Sequence, residues 1–207
     1  MDGSVDFMLK LTKTNLGVVL AGALMLGLGL RALAVDGTSP LVKRDPMQSE
    51  ARMSRLAVRS VLVSAVVAGQ RLVAVGERGH VLLSDDHGSV WRQVPVPVSV
   101  TLTAVTFVDD KQGWAVGHSG VILHSSDGGE TWAKQLDGRQ ALEALQAAAA
   151  SGSRELQQRV ERQVQDGPDK PFLNVHFSDA RNGLAVGAYG WAFATAEIGR
   201  ASCRERV

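Results

Sequence analysis

The sequence has little of the chemistry that covalent cross-linking or nucleophilic catalysis requires. It contains one cysteine and one tyrosine in 207 residues, and aromatic side chains make up only 5% of the chain. A single thiol, Cys203, cannot form an intramolecular disulfide. The formal net charge is +1 and no Lys/Arg run occurs, so nothing indicates a nucleic-acid partner.

Metal-binding patterns are also missing. The five histidines have neither an i, i+4 nor an H-x-H spacing, and Cys203 stands far from all of them. Metal sites built from imidazole and thiolate need several such ligands close together. We therefore predict no metal, no cofactor and no catalytic residue.

The longest apolar segment lies near the N terminus, in residues 8–34. Two lysines precede "NLGVVLAGALMLGLGL", and Ala32 and Ala34 follow it at the spacing of a small-residue cleavage site. The run is shorter than the roughly 20 residues of a spanning helix. This order predicts a signal peptide over residues 1–34, with an uncleaved membrane anchor as the alternative.

The last eleven residues, "EIGRASCRERV", do not read as protein sequence. Their back-translation resembles a common short-read sequencing adapter. We expect residues 197–207 to be an artefactual tail on an incomplete N-terminal fragment, and we exclude them, with Cys203, from the reasoning about fold.

Three segments of the remaining chain repeat one pattern. They begin at Arg71, Gln112 and Asn182, and the first two are offset by 41 residues throughout. Each contains "AVG" followed by a second glycine three positions later; the glycine pairs are Gly76 and Gly79, Gly117 and Gly120, and Gly187 and Gly190. Periods near 40 residues are typical of β-propeller blades.

Each repeat contains four short strand-like pieces, rich in Val, Leu, Thr and Phe and separated by Gly, Asp and Asn. The second repeat provides the clearest boundaries: Thr103–Val108, Gly113–Val116, Val121–Ser125 and Thr131–Gln135. We predict an all-β fold of about three four-stranded antiparallel blades that form a partial β-propeller over residues 58–196. The predicted blades are residues 58–98, 101–136 and 171–196, preceded by a linker at 35–57.

Two repeats share a second motif at the turn between the third and fourth strands. The stretch "SSDGGETW" supplies Ser125, Asp127, Gly129, Thr131 and Trp132, and "SDDHGSVW" supplies the counterparts Ser84, Asp86, Gly88 and Trp91. Glycine accommodates positive φ, aspartate accepts bonds from turn N–H groups, and tryptophan covers the turn. Since every residue type is explained by turn closure, we interpret the motif as structural.

The full match to S-x-D-x-G-x-T-W, the Asp box, preceded by "GWAVGHSGVILH", resembles the photosystem II stability/assembly factor family of β-propellers. That resemblance implies a non-catalytic scaffold that binds a client protein or membrane-protein complex. It also implies an exported location, in a periplasm or thylakoid-lumen-like compartment. Membrane association would come from the N-terminal segment or the client. An accessory protein of an envelope transport system is an alternative.

Sialidases also contain Asp boxes, so a sialidase-like glycoside hydrolase is the enzymatic alternative. Their chemistry uses a tyrosine nucleophile and an arginine cluster that grips a carboxylate. The only tyrosine is Tyr189, within "VGAYG", and no arginine triad can be picked out. We interpret Tyr189 as a loop aromatic.

An insertion at residues 137–170 separates the second and third repeats. Its Ala, Gln, Glu and Arg content predicts helix, and "SGS" divides it, with Ser153 as the N-cap of the second half. Leu156, Val160 and Val164 form an i, i+4, i+8 stripe. The stripe either packs on the propeller or forms a partner-docking arm.

Strand order also predicts two opposite end faces. In an up-and-down blade the turns after "AVG" leave at the same end as the insertion, and the Asp boxes leave at the other. Because propellers commonly bind partners on an end face, we predict Arg78, His118 and Tyr189 as a partner-binding face.

Overall fold

The computed structural model describes residues 44–195, which form three antiparallel sheets and a helical insertion. The first sheet contains β1 (Leu62–Ala68), β2 (Arg71–Gly76), β3 (Val81–Ser84) and β4 (Arg92–Val94). The second contains β5 (Leu102–Phe107), β6 (Gly113–Gly117), β7 (Ile122–Ser125) and β8 (Ala133–Leu136). The third, within the described residues, contains β9 (Phe172–Phe177), β10 (Gly183–Gly187) and β11 (Ala192–Thr195). The fold is all-β, with the meandering blades of a partial β-propeller.

Strand boundaries differ slightly from the sequence-based ones for identifiable reasons. β8 starts at Ala133, not at Thr131, because the two preceding residues are occupied in closing the turn. β7 starts at Ile122 because the Val121 N–H donates to the His118 carbonyl, 3.3 Å away, within the preceding turn.

The core lies between the sheets. Val73 and Leu83 of the first sheet share one apolar cluster with Ala115 and Leu123 of the second, and each is at most 1% exposed. Burying a valine or leucine side chain stabilises a fold by roughly 1.5–3 kcal/mol. The stacking of neighbouring sheets is therefore what makes each sheet stable.

A second cluster joins the second sheet, the third sheet and the insertion. The Trp114 ring stacks on the Phe177 ring at a centroid distance of 3.7 Å, and both belong to this cluster. The first strands of the three sheets, which we call the inner strands, are β1, β5 and β9, and they neighbour one another in that order. Successive sheets therefore follow each other around a common axis.

The insertion forms α1 (Gly138–Ala149) and α2 (Arg154–Gln165). Asp137 caps α1 in a capping box with Gln140, and the Ser153 hydroxyl accepts from the Leu156 N–H at 3.2 Å. Val160 is buried, with Leu156 and Val164 partly buried, in the cluster that contains the third sheet. The apolar stripe is thus covered by the molecule itself, which is the first of the two alternatives for it.

The segment expected to be a linker packs on the sheets over the part that is described. Met47 and Ala51 are buried in the first core cluster, and the Ala51 N–H donates to the Val96 carbonyl at 2.9 Å. Ala57 is 1% exposed. Met47, Ala51 and Ala57 therefore pack against the sheets, whereas residues 52–56 between them are exposed.

Three predictions fall on residues outside the described range: the signal peptide or anchor at 1–34, the start of the linker, and the tail at 197–207 with Cys203. Among the described residues no helix is both long and apolar enough to cross a membrane.

Candidate partner-binding face

Three equivalent turns connect the second and third strands of the sheets, and we call them the upper turns. They are Glu77–Gly79, His118–Gly120 and Ala188–Gly190. Each is closed by an N–H that donates to a carbonyl three residues earlier, at 3.0 to 3.3 Å. The repeat in sequence thus produces the same local structure three times.

The middle residue of every upper turn is held in a left-handed conformation without being glycine. Arg78, Ser119 and Tyr189 have φ values of 56°, 55° and 59°. Together with the positive φ of the following glycine, this is the geometry of a type I′ turn, which favours Asn-Gly. A side chain with this backbone costs on the order of 1 kcal/mol or more. The chain therefore tolerates strain at three matching surface positions.

The first glycine of each "AVGxxG" motif permits close contact with the segment before the inner strand. A Cβ on Gly117 would lie 2.2 Å from the Thr101 carbonyl oxygen, and one on Gly76 would lie 2.1 Å from that of Val61. The next residue, His118, donates its N–H to Thr101 at 2.9 Å. Glycine is required here for space, because any side chain would break this contact.

The second upper turn is attached to the base of the insertion. The Ser119 hydroxyl donates to the Asp169 carboxylate at 2.8 Å, and a Cβ on Gly120 would lie 2.7 Å from the Gly138 Cα. The upper turns and the insertion therefore share one end of the sheets, as strand order predicted.

The candidate residues occupy unequal positions on this face. Arg78 and Tyr189 are exposed at the matching turn position, Tyr189 by 73%. His118 is exposed but lies one residue earlier, and its turn presents Ser119 instead. The aligned AVGxxG motifs already make Arg78, Ser119 and Tyr189 equivalent, whereas their left-handed backbone is seen only in the structure.

The base of the insertion contains two polar residues that sequence reasoning missed. Asp137 is buried and accepts from Lys134 Nζ at 2.8 Å, besides capping α1. Lys170 is 3% exposed and donates to the carbonyls of Gln163 and Gly167, each at 2.8 Å. The D-x-x-Q pattern at the helix start could have identified the first, whereas nothing local indicates the second.

The Asp-box turn of the second sheet is closed by a set of hydrogen bonds around Asp127. Its carboxylate accepts from the Thr131 N–H at 2.9 Å, the Thr131 hydroxyl at 2.6 Å and the Ser125 hydroxyl at 2.9 Å. Ser125 in turn accepts from the Gly129 N–H, and the Trp132 indole donates to the Gly129 carbonyl at 2.9 Å. Ser125 and Thr131 thus both donate to the Asp127 carboxylate.

The first sheet repeats this turn with two changes. Asp86 accepts from the Ser84 hydroxyl and the Val90 N–H, both at 2.8 Å, and the Trp91 indole donates to the Gly88 carbonyl at 3.0 Å. Val90, which replaces the threonine, offers no hydroxyl. His87 replaces a glycine and adopts a φ of 58°. The first box is therefore a weaker version of the second.

Hydrogen bonding explains the electrostatics of both boxes. Burial raises the pKa of the Asp127 carboxyl. The hydrogen bonds from Thr131 and Ser125 together lower it by more than burial raises it, so the pKa lies below the ordinary 3.8. The Val90 N–H and the Ser84 hydroxyl likewise lower the pKa of Asp86. Both groups are ionised acceptors at neutral pH, not proton donors for catalysis.

A group of four charges joins the Asp-box ends of the first two sheets. Arg71 contacts Asp85 at 2.5 Å and Glu130 at 2.9 Å, and Arg92 donates to Glu130 at 2.8 Å. Arg71 also donates to the Gly128 carbonyl at 3.1 Å. The Arg92 guanidinium lowers the pKa of Glu130. These charges are compensated within the fold.

Tyr189, the tyrosine that a sialidase-like reaction would need, is 73% exposed on its turn. No group of three His, Cys, Asp or Glu side chains in that range is placed to hold a metal ion.

Comparison with protein families matches this part of the chain to one of them. Residues 65–152, from β1 to just beyond α1, match the sequence model described as photosynthesis system II assembly factor YCF48. Over this segment the chain is similar to photosystem II assembly factors. The matched segment covers less than half of the chain and includes two upper turns and both Asp boxes.

Two curated assembly factors are similar over short alignments. The photosystem II stability/assembly factor HCF136, chloroplastic, of Cyanidioschyzon merolae is 35% identical over 80 residues, which are 36% of this chain and 18% of that protein. The photosystem II assembly protein Ycf48 of Thermosynechococcus vestitus is 33% identical over 42 residues, which are 20% of this chain and 12% of that protein. The chain thus aligns with less than a fifth of each relative's length.

Two solved structures are similar at lower identity. One, described as YCF48 bound to D1 peptide, has a TM-score of 0.49 and 15% identity, over 77% of this chain and 45% of its own. YCF48 from Cyanidioschyzon merolae has a TM-score of 0.44 and 20% identity, over 69% and 39%.

Proposed function

We propose that this protein is a non-catalytic scaffold that binds a protein client during the assembly of a membrane-protein complex of the photosystem II kind. The match of residues 65–152 to the assembly-factor model carries the proposal. Asp127 and Asp86 are the carboxylates that an acid/base mechanism would use, and both accept hydrogen bonds that close their turns. The proposed role contains no chemical step.

The upper turns are the proposed contact surface. Arg78 and Tyr189 are exposed at strained positions where asparagine or glycine would cost less. Retained strain at matching surface positions supports a role in binding, since stability alone would favour its removal. His118, on the second turn, completes the proposed face.

The proposed site of action is an exported compartment, either a periplasm or a thylakoid-lumen-like space. The signal pattern of residues 1–34 supports export, and similarity to a chloroplastic assembly factor supports the second setting. Membrane association would be through the client or an uncleaved N-terminal segment.

Binding of a D1 peptide to the full chain, followed by fluorescence anisotropy, tests this function. We choose this probe because one structural neighbour is described as bound to such a peptide. Saturable binding that weakens at least tenfold in Arg78→Ala and Tyr189→Ala is expected. Val90→Ala is the control, because Val90 is 68% exposed at the Asp-box end. Equal binding by all four proteins, or no binding, would contradict the proposed face.

A further inference from the structure

A short segment before the first sheet runs between that sheet and the base of the insertion, and we call its residues 45–51 the strap. It begins with a turn in which the Asp45 carbonyl accepts from the Gln48 N–H at 3.0 Å. Its buried side chains, Met47 and Ala51, belong to the core cluster shared by the first two sheets. The residues that follow, 52–56, are exposed. The strap is therefore a local element with few anchors of its own.

One end of the strap is attached to the base of the insertion. The Arg139 guanidinium donates to the Asp45 carboxylate at 2.6 Å. Lys134 Nζ donates to the Met47 carbonyl at 2.9 Å and to the Asp137 carboxylate at 2.8 Å. Because Asp137 is the N-cap of α1, a single ammonium group joins the strap to the residue at which the insertion begins.

The same base contacts the second upper turn. A Cβ on Gly120, the last residue of that turn, would lie 2.7 Å from the Gly138 Cα. A Cβ on Gly138 would in turn lie 2.8 Å from the Ser119 carbonyl oxygen. Since these backbones are packed without space between them, a shift at the start of α1 has to be accommodated by the turn.

The other end of the strap lies at the first upper turn. The Ala51 N–H donates to the Val96 carbonyl at 2.9 Å, so the strap follows the connection between β4 and β5. The Pro46 carbonyl accepts from the Ser99 N–H of the same connection at 2.8 Å. A Cβ on Gly79, the last residue of the first upper turn, would lie 3.2 Å from the Ala51 Cβ. The strap thus contacts this turn directly.

The third upper turn differs from the other two in this respect. A Cβ on Gly190, its last residue, would have no atom within 4 Å among the described residues beyond its chain neighbours. Tyr189 in the same turn is 73% exposed. The strap therefore contacts one upper turn directly and a second through the base of the insertion, and the third turn serves as an internal reference.

We propose that the strap couples the first and second upper turns: while attached it holds them in a fixed relation, and its release loosens both. The Asp45 and Arg139 side chains that form its ion pair are partly exposed, and such pairs contribute little to stability. Segments with few buried contacts open locally while the sheets stay folded. The strap can therefore be released without unfolding the protein.

This coupling implies regulation of the partner-binding face, a consequence that rests on the proposed function. Arg78 and His118 lie on the two turns that the strap holds. A face whose turns are fixed beforehand loses less conformational entropy on binding, so release of the strap should weaken binding. By reciprocity, a bound partner should strengthen the attachment of the strap.

Hydrogen exchange of the full chain, followed by mass spectrometry, tests the coupling. The release variant combines Met47→Ala with Arg139→Gln, which removes one buried anchor and the ion pair. Exchange should be at least about fivefold faster in the strap and in both coupled turns, residues 76–80 and 117–121. It should be unchanged in the third turn, residues 187–191.

A matched control makes the same two changes outside the strap. It combines Met53→Ala with Arg154→Gln, at a methionine and an arginine that are both exposed, and should leave the exchange of all three upper turns unchanged. Arg139→Gln alone, which leaves the core intact, should give a smaller increase in the same two turns as the release variant.

Three results would overturn the coupling. Faster exchange confined to the strap would show that the turns are independent of it. An equal increase in all three upper turns, by the release variant and by Arg139→Gln alone, would show a general loss of stability. Unchanged exchange of the strap would show that other contacts hold it.

Fluorescence anisotropy with the D1 peptide tests the regulation separately. The release variant should bind at least about fivefold more weakly than the control variant. Equal affinity of these two variants would contradict the regulation. Absence of binding by the unchanged chain would contradict the proposed function instead, and the exchange measurements would still decide whether the strap couples the turns.

Discussion

At the scale of single residues, each upper turn follows a position that only glycine can occupy and contains a position where the residue is not the one of lowest backbone energy. Gly117 is required because the Thr101 carbonyl lies where a Cβ would be. Ser119, two residues later, is not the residue that the backbone prefers, because its φ of 55° suits asparagine or glycine better. The first position is explained by packing, and the second is where surface chemistry can vary at a known cost.

Replacing the strained residue tests that cost directly. Arg78→Asn is expected to raise the free energy of unfolding by about 0.5–1 kcal/mol, because asparagine tolerates the left-handed region. Arg78→Gln is the matched control, since it removes the charge and keeps the strain, and should be nearly neutral. Urea unfolding followed by tryptophan fluorescence measures both. An equal effect of the two variants would show that charge, not backbone conformation, matters at Arg78.

At the scale of elements, the two Asp boxes form the same turn with a threonine hydroxyl in the second box and a valine methyl at the same position in the first. Thr131 donates to Asp127 through both its N–H and its hydroxyl, whereas Val90 offers Asp86 only its N–H. Trp132 is 7% exposed and Trp91 only partly buried. The Asp-box turn of the second sheet is therefore stabilised by more hydrogen bonding and more apolar burial than that of the first.

Exchanging the two side chains should reverse this difference. Thr131→Val should lower the free energy of unfolding by about 1 kcal/mol through loss of one hydrogen bond. Val90→Thr should raise it, because it supplies the missing donor in a side chain of the same shape. Thermal unfolding of the two single variants measures both effects. A change in the same direction in both would contradict the role assigned to the hydroxyl.

The insertion is an element whose stability depends on one buried cation. Lys170 Nζ satisfies two carbonyls at the end of α2 and lies 5.6 Å from the centre of the Trp191 ring. Cations at a helix C terminus also interact favourably with the helix dipole. Lys170 thereby fixes α2 to the third sheet.

Lys170→Met should destabilise the protein by about 1–3 kcal/mol, because two buried carbonyls lose their donor. Hydrogen exchange should increase in residues 154–165 before it increases in β6. Arg154→Met, an exposed cation at the opposite end of the same helix, should change stability by less than about 0.5 kcal/mol. Uniform protection in α2 of the Lys170 variant would show that another contact holds the insertion.

At the scale of the whole molecule, groups with lowered pKa values make the free energy of unfolding depend on pH. Burial lowers the pKa of His80 and of His124 below the ordinary 6.5. Hydrogen bonds and ion pairs lower the pKa of acids that join turns and sheets, including Asp127 below 3.8 and Glu130 below 4.5. In each case the unfolded chain binds protons more readily than the folded one, so stability is complete above the unfolded-state pKa and is lost as pH falls.

Two steps of destabilisation on acidification are therefore expected. The first begins as pH falls below about 6.5, through the histidines, and the second begins below about 4.5, through the carboxylates. The free energy of urea unfolding, measured between pH 7.5 and pH 3, would resolve them. His124→Phe, which keeps an aromatic ring against Trp114, should flatten the first step. A stability that stays constant from pH 7.5 to pH 5 would be inconsistent with neutral buried histidines.

Much of the fold was predictable because the same turn and strand residues recur at a fixed spacing in each repeat. Glycines that recur with a fixed spacing specify turns and close contacts, and apolar strands between them can be buried only by stacking sheets. The Asp-box residues were predictable for the same reason, since their partners are within seven residues along the chain. The left-handed backbone of Arg78 and Tyr189 was not predictable, because a positive φ at a residue other than glycine leaves no mark in the sequence.

The sequence by itself determined the sheets, their turns and the presence of two capped helices, because these depend on interactions between residues close in the chain. Only the tertiary structure decided where the insertion packs and that Lys170 caps α2 from outside the helix. Those outcomes depend on contacts between segments far apart in the chain, which no local pattern of residue types specifies.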